Sequence, residues 1–246
     1  MLPHRPLLCL LISAGMASGG DYFRFDAALS PGKRSASLHG FIFAEKAERL
    51  RVIDREAGQP KWDTLGDGFS TIQASAGCNG GYSTPDGKPI GLVISHSTTI
   101  NPLDPSNATA TGLVLVKPSG ITIVKAATAT QADLAGATEG LQGGPILVEN
   151  GKPTAALDAN SYARHTVLLG SGDGQWAIIY VPSATTDGLA RLLADGTSFP
   201  KFKVTTALNL GTGLSSALWL ARTENALPLY LREVNPVRSG LAILPK

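Results

Sequence analysis

The chain is punctuated too often to hold long elements. Its 28 glycines and 16 prolines are spread along all 246 residues instead of gathering in one linker. Many fall in turn-forming sequences: Pro31-Gly32, Asp86-Gly87, Pro118-Ser119-Gly120, Asn150-Gly151, Asp173-Gly174 and Asp195-Gly196. Glycine takes positive φ at no steric cost and proline pre-sets a turn, so each such sequence breaks or reverses the chain. The apolar segments between them are strand-length. Residues 22–29 alternate aromatic and apolar side chains with Arg and Asp, and 37–44 and 50–54 are similar, with a charged stretch at 45–49 between them. Runs of this kind bounded by turn residues read as strands. Residues 92–95, 204–210 and 241–244 read likewise. Three pairs of runs read as hairpins: 113–116 with 121–124, 145–148 with 154–157, and 165–169 with 176–181. Polar loops are expected at 59–68, carrying Pro60 and Trp62, and at 98–111.

One helix stands out. Thr185 or Thr186 caps it, Asp187 favours its positive end, and Leu189, Leu192 and Leu193 form its apolar stripe. Asp195-Gly196 closes it. A second helix is suggested around 131–138. The expected fold class is α+β: a single strand-rich domain with a mixed sheet and one main helix.

Residues 1–19 have another character. His4 and Arg5 precede an apolar core at 7–12, too short to span a bilayer, and 14–19 are rich in small residues. This is the pattern of an export signal, with cleavage expected near 17–19; the other readings are an N-terminal strand or a membrane anchor. The domain is then 20–246, in a protein exported to a periplasmic or extracellular space and free of the membrane once the signal is removed. Cys9 leaves with the signal, so Cys78 stands alone, which excludes an internal disulfide and disfavours a Cys-ligated zinc site. No cofactor and no metal site is read from the sequence. A hydrophobic content of 43% supports a core, and a formal net charge of +2 argues against nucleic acid as a partner.

The most glycine-rich stretch is Ala76-Gly77-Cys78-Asn79-Gly80-Gly81-Tyr82. Either its backbone needs positive φ, or something approaches it closely. Asn-Gly is a strong hairpin signal. The other reading is a pocket floor, where bare backbone N–H groups and the Asn79 amide meet a polar ligand. Cys78 reads as a small buried residue before the turn, not as a nucleophile.

Asn79-Gly80-Gly81-Tyr82, followed by Asp86-Gly87-Lys88-Pro89-Ile90-Gly91, resembles the opening signature of the phosphodiester glycosidase family. Two further stretches are similar to that family in the same order. They are Leu141-Gln142-Gly143-Gly144-Pro145-Ile146-Leu147-Val148 with Asn150-Gly151-Lys152, and Leu208-Asn209-Leu210-Gly211-Thr212-Gly213-Leu214-Ser215-Ser216. The resemblance runs from about residue 70 to the C-terminus. It implies hydrolysis at a sugar anomeric carbon whose leaving group is a phosphate ester, hence a carbohydrate or sugar-phosphate diester substrate. Such a group leaves as a monoester of low pKa. It needs little protonation, but it does need fixed positive charge and hydrogen-bond donors.

The resemblance also points to residues. Arg164 stands where the family carries Arg followed by Ser or Thr, here with His165 before Thr166. Its planar fork suits two phosphate oxygens; otherwise it is a surface arginine at a strand end. His165 is either a proton carrier or phosphate donor, or a solvated strand-end histidine. Asn79, Gln142 and Asn209 stand beside glycine-rich strand ends and would reach sugar hydroxyls or phosphate; the plain alternative is a turn or a buried amide satisfying backbone. Gly80, Gly81, Gly143 and Gly144, with Pro145, would let a ligand lie against the main chain. Gly213 and Ser215 are the retained binding positions of the third stretch. The resemblance departs at Gly211, where the family has aspartate, and at Thr212, where it has glycine. Most glycosidases use two carboxylates, and Glu139 is the nearest substitute, so Glu139, Arg164 and Asn209 are the expected catalytic residues. Asp187 is better explained by its helix start, and Asp86 and Asp173 by their turns. Gly211 leaves two readings: a shifted active site, or a carbohydrate- or phosphate-binding member that does not cleave. Unless it holds a positive φ, glycine there leaves room for an aspartate to be restored. Asn107-Ala108-Thr109 is a glycosylation sequon by pattern. Trp62, Trp176 and Trp219 would stack on sugar rings or, for the last two, fill the core.

Overall fold

The computed structural model describes residues 20–27, 36–57, 61–196, 202–221 and 228–246. The expected signal and the Pro31-Gly32 turn lie outside the described residues. Strand β1 (Asp21–Ala27) pairs along its whole length with β2 (Ala36–Ala44), and β3 (Glu48–Asp54) follows. Helix α1 (Leu65–Thr71) begins inside the stretch expected to be a polar loop. A capping box starts it: Thr64 Oγ1 accepts from the Asp67 N–H while the Asp67 carboxylate accepts from the Thr64 N–H. The helix buries Leu65 and Phe69. Phe69 packs on Gly77 of β4 (Ala76–Asn79), where a Cβ would lie 2.6 Å from its ring. Asn79-Gly80 is therefore not a hairpin turn. β4 runs between two other strands, and Gly77, Gly80 and Gly81 all lack a positive φ. Close approach is the reason for them: a Cβ on Gly81 would overlap the Gln142 carbonyl oxygen.

Strand β5 (Val93–Ser95), expected at 92–95, pairs in a hairpin with β6 (Thr98–Asn101), which lies where the polar loop was expected to begin. Its two central residues, His96 and Ser97, sit at φ 51° and 62° with no glycine to mark the turn. The hairpin of β7 (Gly112–Lys117) and β8 (Gly120–Lys125) turns at Pro118-Ser119, as expected. Helix α2 (Gln131–Leu134), capped by Thr130 and Asp133, is shorter than the expected 131–138. After β9 (Glu139–Gly143), β10 (Ile146–Glu149) turns through Asn150-Gly151 into the short β11 (Lys152–Pro153), and the Thr154 N–H still reaches the Leu147 carbonyl, but 155–157 form no strand. β12 (Ala163–Gly170) and β13 (Gln175–Ala184) make the third expected hairpin. Helix α3 (Thr186–Ala194) is the expected main helix: Thr185 accepts from the Gly188 N–H, Asp187 pairs with Arg191, and Leu189 and Leu193 are buried. The remaining strands are β14 (Thr206–Thr212), β15 (Leu218–Leu220), β16 (Leu229–Leu231) and β17 (Ser239–Pro245).

The strands form one seven-stranded sheet, ordered β1-β2-β13-β12-β14-β10-β11, and two of five, ordered β16-β15-β4-β17-β3 and β6-β5-β9-β7-β8. Every pairing among the described strands is antiparallel. The expected mixed sheet is thus corrected to three antiparallel ones, and the domain is mostly β. The path around α3 shows why. It carries the chain from β13 to β14, but β12 stands between them, so the two parallel strands are never hydrogen-bonded neighbours.

One apolar layer lies between the sheets. Leu168, Ile178 and Leu208 of the first meet Cys78, Leu218 and Leu241 of the second and Val114 and Leu141 of the third. The other face of the large sheet is covered by α3, with Val167, Leu169 and Ile179 against Leu189 and Leu193. Each such side chain contributes about 1.5–3 kcal/mol of apolar burial before entropy is counted. Trp62, Trp176 and Trp219 are all buried, so core packing replaces sugar stacking. Cys78 is fully buried, and burial raises its thiol pKa. No helix among the described residues is long and apolar enough to cross a membrane.

Candidate functional site

The site is built where β14 meets β12. Asn209 lies opposite Val167; the register then slips, so that Gly211 faces Thr166 and Thr212 faces His165, with Leu210 the extra residue. A bulge of this kind re-aims side chains. Here it places Asn209, wholly buried, under the strand end. Its Nδ2 donates to the Gly144 carbonyl at 2.7 Å and lies 3.0 Å from Thr212 Oγ1 and 3.1 Å from Tyr82 Oη. The Tyr82 hydroxyl donates to the same carbonyl at 2.7 Å and sits 3.2 Å from Thr212 Oγ1. All three glycine-rich stretches therefore meet at one amide. Thr212 is exposed and Tyr82 half-buried, so their hydroxyls form an accessible edge over a buried support.

His165 supports Asn209 from beneath. Its Nδ1 is 3.2 Å from Asn209 Oδ1, its Nε2 is 3.1 Å from the Ala184 carbonyl, and 1% of the residue is exposed. The Gly144 carbonyl can only accept, so it fixes the Asn209 amide with its oxygen toward the imidazole. Both ring nitrogens then face acceptors. A neutral imidazole has one N–H and satisfies one of them; the imidazolium satisfies both. Burial holds the pKa below its usual value, against the upward pull of the two oxygens. His165 is thus neither a solvated strand-end residue nor an open phosphate donor.

Asn79 closes the opposite side. It is 1% exposed, its Oδ1 accepts from the Ala217 N–H at 2.9 Å, and its Nδ2 donates to the Gly80 carbonyl at 3.0 Å. A Cβ on Gly211 would overlap Asn79 Nδ2. Gly211 has no positive φ, yet the room expected for an aspartate is filled by that amide. Across the ladder, Thr166 Oγ1 is buried without a hydrogen-bond partner.

The three stretches carrying Asn79, Gln142 and Asn209 fall within residues 73–244, which match the sequence model of the family described as Phosphodiester glycosidase. The chain belongs to the phosphodiester glycosidase family. No curated protein matches it significantly. Solved structures share the fold at low identity. The catalytic domain of zebrafish N-acetylglucosamine-1-phosphodiester alpha-N-acetylglucosaminidase, auto-inhibited by its pro-peptide, has a TM-score of 0.66 and 15% identity, over 92% of this chain and 83% of that one. A Synechocystis protein has a TM-score of 0.68 and 12% identity, over 99% of this chain and 64% of that one. A Burkholderia pseudomallei protein gives 0.56 and 12%, over 88% and 76%.

In this member of the family, other expected residues are placed differently. The Gln142 amide is used up by backbone: Oε1 accepts from the Leu92 and Asp104 N–H groups, and Nε2 donates to the Asp104 and Ala110 carbonyls. Glu139, on the other face of β9, is not brought to the cluster. Its carboxylate accepts from the Val52 N–H at 2.9 Å and the His96 N–H at 3.3 Å. Burial pushes its pKa up to about 7. Gly143 abuts the Asn209 carbonyl, and Gly144 is wedged between Thr109 and Thr111, so it is neighbouring chain that approaches them. Gly80 lies close against Ser239. Arg164 falls in the β12 bulge, half-buried, and makes no ion pair among the described residues. Burial raises the Tyr180 phenol pKa and the Arg164 charge draws it back, which sets the guanidinium near that ring. Gly213, at φ 75°, begins a single 3-10 turn that ends at Ser215. Tyr82 and Thr212 had no assigned role from sequence. The available signal was Tyr82's place directly after the paired glycines, where a phenol reaches over bare backbone. Among the described residues, no aspartate or glutamate hydrogen-bonds to this cluster.

Proposed function

We propose that this chain is an exported hydrolase that cleaves a sugar-1-phosphate diester at the glycosidic bond. The observation that supports it is the convergence of all three family stretches on Asn209. Thr212 supplies a hydroxyl at the exposed edge beside the Tyr82 phenol oxygen, and Arg164, without an ion pair among the described residues, is the cation assigned to the phosphate. The C1–O bond breaks with its electron pair on the phosphate oxygen, and a water oxygen bonds to C1. The released monoester has a second pKa of about 6 and can take up the water's proton. Neither end of that step requires a carboxylate at 211. The Thr212 hydroxyl and Arg164 act on the departing oxygens, and Asn209, buried beneath, holds Tyr82 and Thr212 in fixed positions.

A second reading has an observation of its own. With Gly211 where the resemblance implies aspartate, and no carboxylate bonded to the cluster among the described residues, the site has donors and lacks a base, which suits a member that binds without cleaving. Incubating the purified protein with an N-acetylglucosamine phosphodiester separates the two: release of free sugar supports hydrolysis, and saturable binding with no release supports the binding reading. Arg164→Ala should weaken binding of inorganic phosphate about tenfold or more, the value of a charge-assisted hydrogen bond. Unchanged affinity returns Arg164 to a surface role.

A further inference from the structure

We propose that Arg49, Arg51 and His96 form a second site, at the far end of β9 from the Asn209 cluster, that takes a doubly charged oxyanion of the phosphate or sulfate kind. Leu50 and Val52 of β3 face the apolar layer, so strand alternation turns Arg49 and Arg51 together to the other face. The Glu139 carboxylate accepts from the Val52 N–H and the His96 N–H, which joins β3 to the β5–β6 turn at this point. Glu139 opens β9 and Gly144 follows its end, so about 16 Å of strand separates the two sites. The assignment stands whether or not the chain hydrolyses a diester.

The cations here are unspent. Neither arginine makes an ion pair among the described residues, and Nε of the half-buried Arg51 lies buried without a hydrogen-bond partner. A packed stem holds the guanidinium in place, and an arginine fork takes two oxyanion oxygens. His96 is exposed at the turn. The Ser95 hydroxyl gives its one hydrogen to the Val52 carbonyl at 2.7 Å, so His96 Nδ1, 3.0 Å away, donates to Ser95 Oγ. Nε2 is then a bare acceptor in the neutral ring and a donor once protonated. Burial, and then the charges of Arg51 and Arg49, hold the His96 pKa below its usual value. Glu139, the carboxyl beside them, does not cancel those charges. Burial pushes its pKa up to about 7, against two backbone N–H groups and the same two arginines, so below neutral pH it is mostly uncharged. An anion among the three side chains offsets the arginines, and its binding is accompanied by proton uptake at His96.

NMR titration of the histidine rings in the purified protein tests this, with chloride exchanged for inorganic sulfate, inorganic phosphate or dextran sulfate at constant ionic strength. His39 is the internal reference: burial and the Arg24 charge hold its pKa down too, with Asp26 opposing, so general screening moves both rings alike. Sulfate and phosphate are expected to raise the His96 midpoint and leave that of His39 in place. Dextran sulfate binding more tightly per sulfate than the free ion identifies esters on a polymer as the ligand, and equal affinity identifies the free anion. Arg51→Met keeps an apolar stem and should weaken sulfate about tenfold or more. If that variant does not fold, Arg49→Gln, at an exposed position, carries the same expectation. A His96 midpoint that stays put, equal movement of both rings, or full affinity in the folded variant overturns the proposal.

Discussion

At the residue level, the substitution that matters is a missing side chain. Where the family resemblance implies an aspartate, Gly211 has an asparagine amide packed against its α-carbon. Restoring Asp at 211 must push Asn79 off its bonds to Ala217 and Gly80. Overpacking of that kind costs about 1–3 kcal/mol. Gly211→Asp is therefore expected to lower the urea midpoint, and Asn79→Gly in the same chain to recover part of the loss, with a coupling of about 0.5 kcal/mol or more between the two sites. Additive effects would mean that Asn79 swings aside freely. The sequence alone left Asn79 open between pocket floor and turn. It is neither, because its partners, at 80 and 217, come from its own motif and from a strand end 138 residues away.

Two predictions belong to single strands. Gln142 on β9 satisfies four backbone groups of the 92–110 segment. Gln142→Leu leaves them buried and unpaired, each at about 1–3 kcal/mol, so a loss of 3 kcal/mol or more is expected, with new protease cleavage inside 102–111. A variant that stays stable but loses ligand would restore the binding role read from sequence. Glu139, at the start of the same strand, ties β9 to β3 and to the His96 turn. Its native pKa of about 7 stands above the ordinary 4.5, so between these values the folded chain holds a proton that the unfolded chain has lost. The stability from this group is complete below about 4.5 and is lost as pH rises to about 7, by on the order of 3 kcal/mol at most. Glu139→Gln cannot ionise. Its melting temperature should gain on the parent's steadily across that window, and parallel curves would show that the carboxyl does not titrate there.

Over the whole molecule, hairpins marked by Pro-Ser-Gly, Asn-Gly or Asp-Gly were legible in the sequence because their turn chemistry is local. The β5–β6 hairpin was not, since His96 and Ser97 take positive φ without glycine. The antiparallel character of the sheets was also hidden. It depends on β12 lying between the two strands that α3 connects, a relation no local pattern records. The family stretches identified which segments matter, but not that Asn209 is their meeting point or that Tyr82 and Thr212 form its edge. Those contacts join residues up to 130 apart. Intact-mass measurement of secreted protein is expected to show a chain lacking residues 1–19, and recovery of the full-length mass would reject that processing.

Processing has one practical corollary. A chain without residues 1–19 holds a single sulfhydryl, Cys78, on the strand that β15 and β17 enclose from either side. A thiol reagent can reach it only when those strands part. The labelling rate of the unmodified protein is therefore a clock for the opening of the second sheet, and it needs no engineered probe. Run with and without a saturating ligand, that clock reports whether occupancy at the neighbouring Asn79 end holds the strands shut.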